Sequence, residues 1–304
     1  MHLVSALLEE TRALRFRATQ KNTLAIFNWH QVTPAFDPAR HHPHTWTALA
    51  NFETAIDDVA ESHSIMPLDA ALAALDGGFL RGRCAALTFD DGDRSIADYV
   101  APLLLRRGLP ATFFINSAYL RGDRTYWFPV LAYAGHLLPA AIKQHGKALR
   151  QTGDTAFYAR YREALEQYAA AVPNLADRFV TANWLSRLDG EQFAIGAHGH
   201  EHQRYAMMSE HWQRRDIAAN VMALRDFRAF RPVFAPPFGK PIDVSPDLFR
   251  IAGEARLKIV LASGGINTRS AQSYDRIPAD NVIIKRALTR AMAANGRRAA
   301  AAAL

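Results

Sequence analysis

Six short apolar runs punctuate the chain, at 23–29 (TLAIFNW), 84–89 (CAALTF), 111–116 (ATFFIN), 192–196 (QFAIG), 232–235 (PVFA) and 258–262 (KIVLA). Such runs are the pattern of parallel strands buried on both faces. Between them, 51–63, 95–107, 210–230 and 246–257 carry apolar residues at helical spacing. The last has Ser245 as N-cap and Pro246 at the first helical position. Strands alternating with helices predict βαβ units and a parallel sheet, open or closed into a barrel. The stretch 117–189 breaks the alternation. It is long and rich in Ala, Tyr and Arg, and it reads as a helical insertion with helices around 137–149 and 155–171. Insertions on the loop side of such scaffolds shape substrate entrances.

Composition narrows the chemistry. With 304 residues, 49% of them hydrophobic, the chain can bury a sizeable core and is read as a single domain, with a core at about 23–282 and a tail at 283–304. Cys84 is the only cysteine, so an intrachain disulfide and a Cys-based zinc site are excluded and any metal site must use His and carboxylate. The first thirty residues lack a basic segment followed by a continuous apolar stretch, with Glu9, Glu10 and Arg12 interrupting it. Neither a cleaved signal nor a spanning helix is expected, and a cytoplasmic location is. The net charge of +7 is uneven: Lys285, Arg286, Arg290, Arg297 and Arg298 stand after position 280 with no acid among them. The basic residues match no nucleic-acid module, so no nucleic-acid partner is expected. The tail reads as a solvated helix, with weak docking on an anionic membrane surface as its alternative.

Three strand ends carry candidate chemistry. Asp90-Asp91-Gly92 follows the apolar run at 84–89; two adjacent carboxylates there are costly unless a cation satisfies them. One can bind a metal while its neighbour faces a nucleophilic water. Next, 195–202 reads IGAHGHEH, an apolar run entering three histidines. His198 and His202, four apart, can meet at one ion, with His200 pointing elsewhere. Third, Ala235-Pro236-Pro237-Phe238-Gly239 is a loop stiffened by two prolines, which reads equally as a donor of a backbone N–H to a developing oxyanion and as a structural Pro-rich turn. His41, His42 and His44 lie in a Pro-bearing loop and read as solvated. Lys240 and Arg276 read as contacts for an anionic part of a substrate or as surface ion pairs. Asp93 and Arg94 are candidate rim residues.

The order TFDDG, His-x-x-x-His after an apolar strand, and a Pro-Pro-aromatic-Gly loop resembles the polysaccharide deacetylases of the NodB homology type, carbohydrate esterase family four. Asn28-Trp29-His30-Gln31-Val32 is similar to the segment that opens many of these chains, with Gln31 where a basic residue stands. The run 264–268 (GGINT) followed by Arg276-Ile277-Pro278 resembles the ending of the poly-N-acetylglucosamine and exopolysaccharide deacetylase subgroup.

The resemblance implies an α/β fold, a distorted (β/α) barrel with the site at the carboxyl ends of its strands. It implies Asp90 as catalytic base, with Asp91, His198 and His202 as ligands of one divalent metal ion. That ion is zinc first, with nickel or cobalt as alternatives. Phe238 falls where a backbone N–H helps hold the oxyanion. Trp29, His30, His200 and Pro237 are candidates for substrate contact, and Trp29, Trp46, Tyr126 and Trp127 for stacking on sugar rings, with a place in the core the favoured alternative for each of these aromatics. Two departures stand out. Ala235 occupies the place of an Arg that orients the catalytic Asp, and Ser263 the place of the general-acid His. The acid role then falls to protonated Asp90, His200 or His30. The expected reaction is metal-assisted deacetylation of an N-acetylated amino sugar. Its competitors are a silent carbohydrate-binding relative and an amidase or deformylase on a lipid- or nucleotide-linked sugar.

Overall fold

The computed structural model describes residues 22–38, 40–121 and 176–280. Tyr126, Trp127, the expected helices at 137–149 and 155–171 and the basic tail lie outside them. Seven parallel strands close a barrel: β1 (Thr23–Trp29), β5 (Arg83–Phe89), β6 (Ala111–Ile115), β7 (Phe193–Ala197), β8 (Phe230–Phe234), β9 (Lys258–Leu261) and β10 (Ser273–Pro278). Closure comes through β1, which pairs with β5 along its whole length and with β10 on its other edge, Ile26 facing Arg276. A short strand, β4 (Ser64–Ile65), takes the part of the β5 edge that β6 leaves uncovered. The two-stranded pair β2 (Gln31–Thr33) and β3 (Trp46–Ala48) stands apart, just after β1. The expectation of an α/β barrel is met.

Period-two alternation sorts each strand's residues between two cores. Leu24, Ile26, Cys84, Ala86, Phe114, Val233, Val260 and Tyr274 pack together inside the barrel. Helix α2 (Leu68–Asp76) plugs the amino ends of the strands with Leu68, Leu72 and Leu75. The alternate residues, among them Phe27, Trp29, Phe89, Phe113 and Ile195, face α1 (Leu49–Ser62) and α3 (Ala101–Arg106). The turn leading into α3, Ile96–Val100, is wound as a π-helix, consistent with Pro102 lacking the N–H that would return to residue 98. After the short α4 (Ala182–Leu185), helices α5 (Glu210–Leu224) and α6 (Pro246–Glu254) cover Phe234, Ile259 and Leu261. Ser245 caps α6 as expected, its Oγ accepting the Leu248 N–H at 3.2 Å.

Two boundaries differ from the sequence reading. The helix expected over 210–230 stops at Leu224, and Phe230 already belongs to β8. Between Ile195↔Phe230 and Ala197↔Phe234, β8 spends two more residues than β7, a bulge that accommodates the exposed Pro232 without a missing ladder bond. β10 reads SYDRIP, too polar for a buried strand by composition, yet Tyr274, Arg276 and Ile277 are all buried.

Gly196 shows how tightly the barrel interior is filled, because a Cβ there would lie 2.4 Å from the Phe114 ring. Gly196→Ala is therefore expected to destabilise the fold by about 1–3 kcal/mol through overpacking; urea unfolding would check this, an unchanged midpoint counting against it.

Candidate active site

Every chemistry-bearing segment of the sequence leaves a strand at its carboxyl end, the mouth where α/β barrels place their sites. His30 follows β1, Asp90 and Asp91 follow β5, His198 follows β7, the Pro-Pro loop follows β8, and Asp280 follows β10.

Asp91, His198 and His202 come together as one group of possible metal ligands, the one such group of three among the described residues. Asp91 Oδ1 lies 3.2 Å from Nε2 of His198 and 3.2 Å from Nε2 of His202. Asp91 and His202 reach these positions in left-handed backbone, at φ 71° and 54°, which is strained for residues bearing a Cβ and is the kind of cost sites store. His198 donates from Nδ1 to the Ala235 carbonyl at 2.6 Å; that bond fixes its tautomer and leaves the Nε2 lone pair turned to Asp91. Burial opposes ionisation of Asp91, yet His202 and His198 hold its carboxyl well below the ordinary value. Burial likewise pushes the His202 imidazole down, towards its neutral, ligating form. The buried Asp91 Oδ1 accepts no hydrogen bond. An acidic oxygen without a donor between two imidazole nitrogens is a donor set that fits a divalent cation.

Asp90, 3% exposed, is held differently. Arg276 donates to it in a fork, from one terminal nitrogen to Oδ1 at 2.7 Å and from the other to Oδ2 at 2.9 Å. Asn28 donates to Oδ2 at 3.0 Å and accepts from Arg276 at 2.9 Å, while the Thr88 hydroxyl donates to Asn28 Oδ1 at 3.1 Å. The guanidinium lies over the Phe114 ring, 5.2 Å from its centroid. Burial alone would raise the Asp90 pKa; Arg276 and His198 bring it below the ordinary value, so the carboxylate is ionised. Arg276 is fully buried, so the reading of it as a substrate contact or surface ion pair is corrected. It does for Asp90 what an Arg at position 235 does in the pattern the sequence resembles, from another strand.

His30 is 21% exposed at its side chain and sits with Nε2 3.9 Å from Asp90 Oδ2. Its Nδ1 bonds Asp280 Oδ2 at 2.6 Å, and its backbone N–H bonds Asp280 Oδ1 at 3.1 Å. Burial would lower the His30 pKa, but Asp280 foremost, with Asp91 and Asp90 adding to it, pushes it up to about 10. Sequence reasoning missed Asp280; its one signal, a carboxylate shortly after the last strand, has no meaning until β10 is paired with β1.

The remaining candidates separate. Phe238, at φ 63°, packs its ring edge-on to His202 at 5.0 Å, and the Arg204 guanidinium lies over that ring, 4.9 Å from its centroid. Pro237 is buried against the histidine loop, near Gly199. His200 turns from the trio, its Nδ1 2.8 Å from Ser117 Oγ. Trp29 is fully buried, stacked on Phe89 at 5.7 Å and edge-on to Phe52 at 5.3 Å, so the reading of it as a sugar contact is corrected: it faces the helices, not the mouth. Ser263 donates its hydroxyl to Asp275 on β10, with the Leu261 carbonyl at the end of β9 3.2 Å away. Asp93 accepts from Gln31 at 3.0 Å, and Arg94 pairs with Asp98 at 3.0 Å on the surface. His41 accepts the Asp37 N–H and packs beside Trp46, and no ligand group forms there among the described residues.

Residues 79–260, more than half of the chain, match the family model described as polysaccharide deacetylase. The chain belongs to the polysaccharide deacetylase family. Its members are hydrolases acting on carbon–nitrogen bonds other than peptide bonds, and their substrates are carbohydrates. No curated protein matches the chain. Solved structures share the deacetylase fold. The Streptococcus pyogenes deacetylase PplD, in complex with acetate, is 13% identical with a TM-score of 0.61, the match covering 90% of this chain and 99% of that one. IcaB from Ammonifex degensii is 15% identical with a TM-score of 0.56, covering 91% and 98%. A de-N-acetylase from Aggregatibacter actinomycetemcomitans is 13% identical with a TM-score of 0.60, covering 88% and 100%. The family match begins after His30 and ends before Arg276 and Asp280, so the residues bonded to Asp90 and to His30 from β10 and just beyond it lie outside the match.

Removing the guanidinium leaves a buried carboxylate without its cation, which costs about 3–5 kcal/mol. Arg276→Met is expected to lower stability by that order, measured by denaturant unfolding; a loss under 1 kcal/mol would show that the pair is not what holds Asp90.

Proposed function

We propose that this deacetylase removes acetyl groups from an N-acetylated amino sugar in a polysaccharide or glycoconjugate, by metal-dependent hydrolysis. The observation that carries the reading is the placement of a buried carboxylate, Asp90, and an imidazole, His30, 3.9 Å apart beside the Asp91, His198 and His202 trio. A divalent ion held by Asp91 Oδ1 and the two Nε2 atoms, with zinc first and nickel or cobalt as alternatives, would supply Lewis-acid polarisation of the amide carbonyl and easier ionisation of water.

The chain's own residues do the rest. Asp90, kept as a base by Arg276, takes the proton of the attacking water as the C–O bond forms. The N–H of residue 238, on a loop stiffened by Pro236 and Pro237, is the donor for the negative oxygen that develops. As the C–N bond breaks, His30 gives its Nε2 proton to the departing amine, and Asp280 stabilises the charge His30 carries beforehand. Acetate and a free amine leave. Of the three candidates for the acid, His200 is turned to Ser117, and Asp90 gains a proton only by acting as the base, whereas His30 carries its own beforehand. The silent-binder reading rested on the departures at Ala235 and Ser263; Arg276 and His30 supply both roles from elsewhere in the chain. That one structural neighbour is a de-N-acetylase supports the choice of bond.

Elemental analysis of purified protein is expected to find about one transition-metal ion per chain, absent from a His198→Ala, His202→Ala double variant. No ion in the wild type after exposure to zinc, nickel or cobalt would remove the metal from the mechanism. On N-acetylglucosamine oligomers, Asp90→Asn is expected to cut amine release by about 10²–10⁴; a variant as active as the wild type would sink the base assignment.

A pH profile tests the acid. His30 must be protonated, and its raised pKa keeps it so through neutral pH, with activity lost as pH rises through about 10. Asp280→Asn removes the charge responsible, so the alkaline limb of kcat/KM should move down towards the ordinary imidazole value of about 6.5. An unmoved limb would exclude the His30–Asp280 pair.

A further inference from the structure

The inward face of α5 is polar where a helix packed on a barrel would ordinarily be apolar: Gln213, Asp216 and Asn220 are all buried there. Asp216 collects three donors. Its Oδ2 accepts the His200 N–H at 2.9 Å and the Tyr205 hydroxyl, and its Oδ1 accepts the Glu201 N–H at 3.0 Å. All three donors belong to the single loop that runs from His198 to Tyr205, and they bracket His202. Gly199 is part of the same arrangement. It sits at φ 75°, and a Cβ there would lie 2.8 Å from Asp216 Oδ2 and 3.0 Å from the Tyr205 oxygen, so the carboxylate approaches only because position 199 carries no side chain. Tyr205 is itself fully buried, and burial together with Asp216 raises its pKa well above the ordinary value, so it donates throughout the working range.

We infer that Asp216 is the positioning residue of the metal centre: it clamps the 199–205 loop so that His202 is presented, in left-handed backbone, to the oxygen that His198 also faces. The inference rests on the metal-centre reading above and goes beyond it, since Asp216 touches neither ligand nitrogen. Its reasoning is mechanical. His198 leaves β7 directly and is fixed by the Ala235 carbonyl, so its place is set by the barrel. His202 is four residues further along a loop, at a φ of 54° that its Cβ disfavours. Without an external hold the loop would relax to a conformation that turns the imidazole away. Two consecutive N–H groups bonded to one carboxylate fix the chain just before His202, and the Tyr205 hydroxyl fixes it just after. Groups that orient a metal ligand without touching the metal typically carry 10–100-fold in affinity.

The test is metal affinity, read on the full chain without reference to turnover. Zinc Kd is measured by competition with a chromophoric chelator for the wild type, Asp216→Asn, Asp216→Ala and Tyr205→Phe, and the visible absorption of the cobalt-loaded proteins is recorded. Asp216→Asn keeps the shape of the side chain but turns one acceptor into a donor facing an N–H; it is expected to weaken zinc binding 10–100-fold and to change the cobalt spectrum. Tyr205→Phe leaves both backbone bonds and is expected to weaken binding less than Asp216→Asn. Should Asp216→Ala not fold, Asp216→Asn and Tyr205→Phe decide. A merely structural Asp216 would lower thermal stability yet leave zinc affinity and the cobalt spectrum as in the wild type, and that result overturns the inference. A wild type that binds neither metal overturns the metal-centre reading, and the inference with it, so the two failures are told apart by the wild-type measurement.

Discussion

The structure turns on one buried ion pair. Arg276 and Asp90 sit at the carboxyl mouth of the barrel, on strands joined through β1, and each would be prohibitively costly in that interior without the other. Their cost is met by geometry: the fork is bidentate, Asn28 closes the third side, and the Phe114 ring lies beneath the guanidinium. Phe114 can lie there only because Gly196 leaves room for its ring. A glycine on β7, a phenylalanine on β6, an arginine on β10 and a carboxylate after β5 are thus one packing unit.

The charge pattern at the mouth follows from that pair. With Asp90 held ionised by an internal cation, the nearby His30 needs a carboxylate of its own to carry a positive charge, and Asp280 provides it. Asp90 and His30 thus each have a principal partner of opposite charge on or just after β10, Arg276 for one and Asp280 for the other. The metal-ligand trio beside them draws on a third set of supports, the Ala235 carbonyl for His198 and the α5 helix for the loop of His202. Three independent braces for three chemical roles explain how so many ionisable groups can share one confined volume.

What the sequence made legible was whatever is local. Apolar runs gave the strands of the barrel except β10 and the short ones, and TFDDG with the histidine loop gave the trio and its neighbour Asp90. The Ser245 cap was readable because a cap is made by residues three apart. What escaped was made by long-range pairing. Arg276 is 186 residues from Asp90, and Asp280 is 250 from His30, so nothing along the chain distinguishes that arginine from one at the surface. Hydropathy misled in both directions at polar positions inside: SYDRIP does not look like a barrel strand, and the polar face of α5 looks like a solvent face. Trp29 was misjudged for the complementary reason, because alternation along β1 sends it to the helices while its neighbours Asn28 and His30 serve the mouth.

The barrel is closed by its first strand pairing with its last, and this gives the protein a history as well as a shape. During synthesis the ribosome delivers the aspartate pair and both metal-facing histidines long before it delivers β10. Until then β1 has an open edge, Asp90 has no guanidinium, and His30 has no carboxylate. A nascent chain complete to Leu261 already owns the segment by which its family is matched, yet Asp90 and His30 still lack Arg276 and Asp280. Both counter-charges then arrive in one step, when a strand of six residues locks into place.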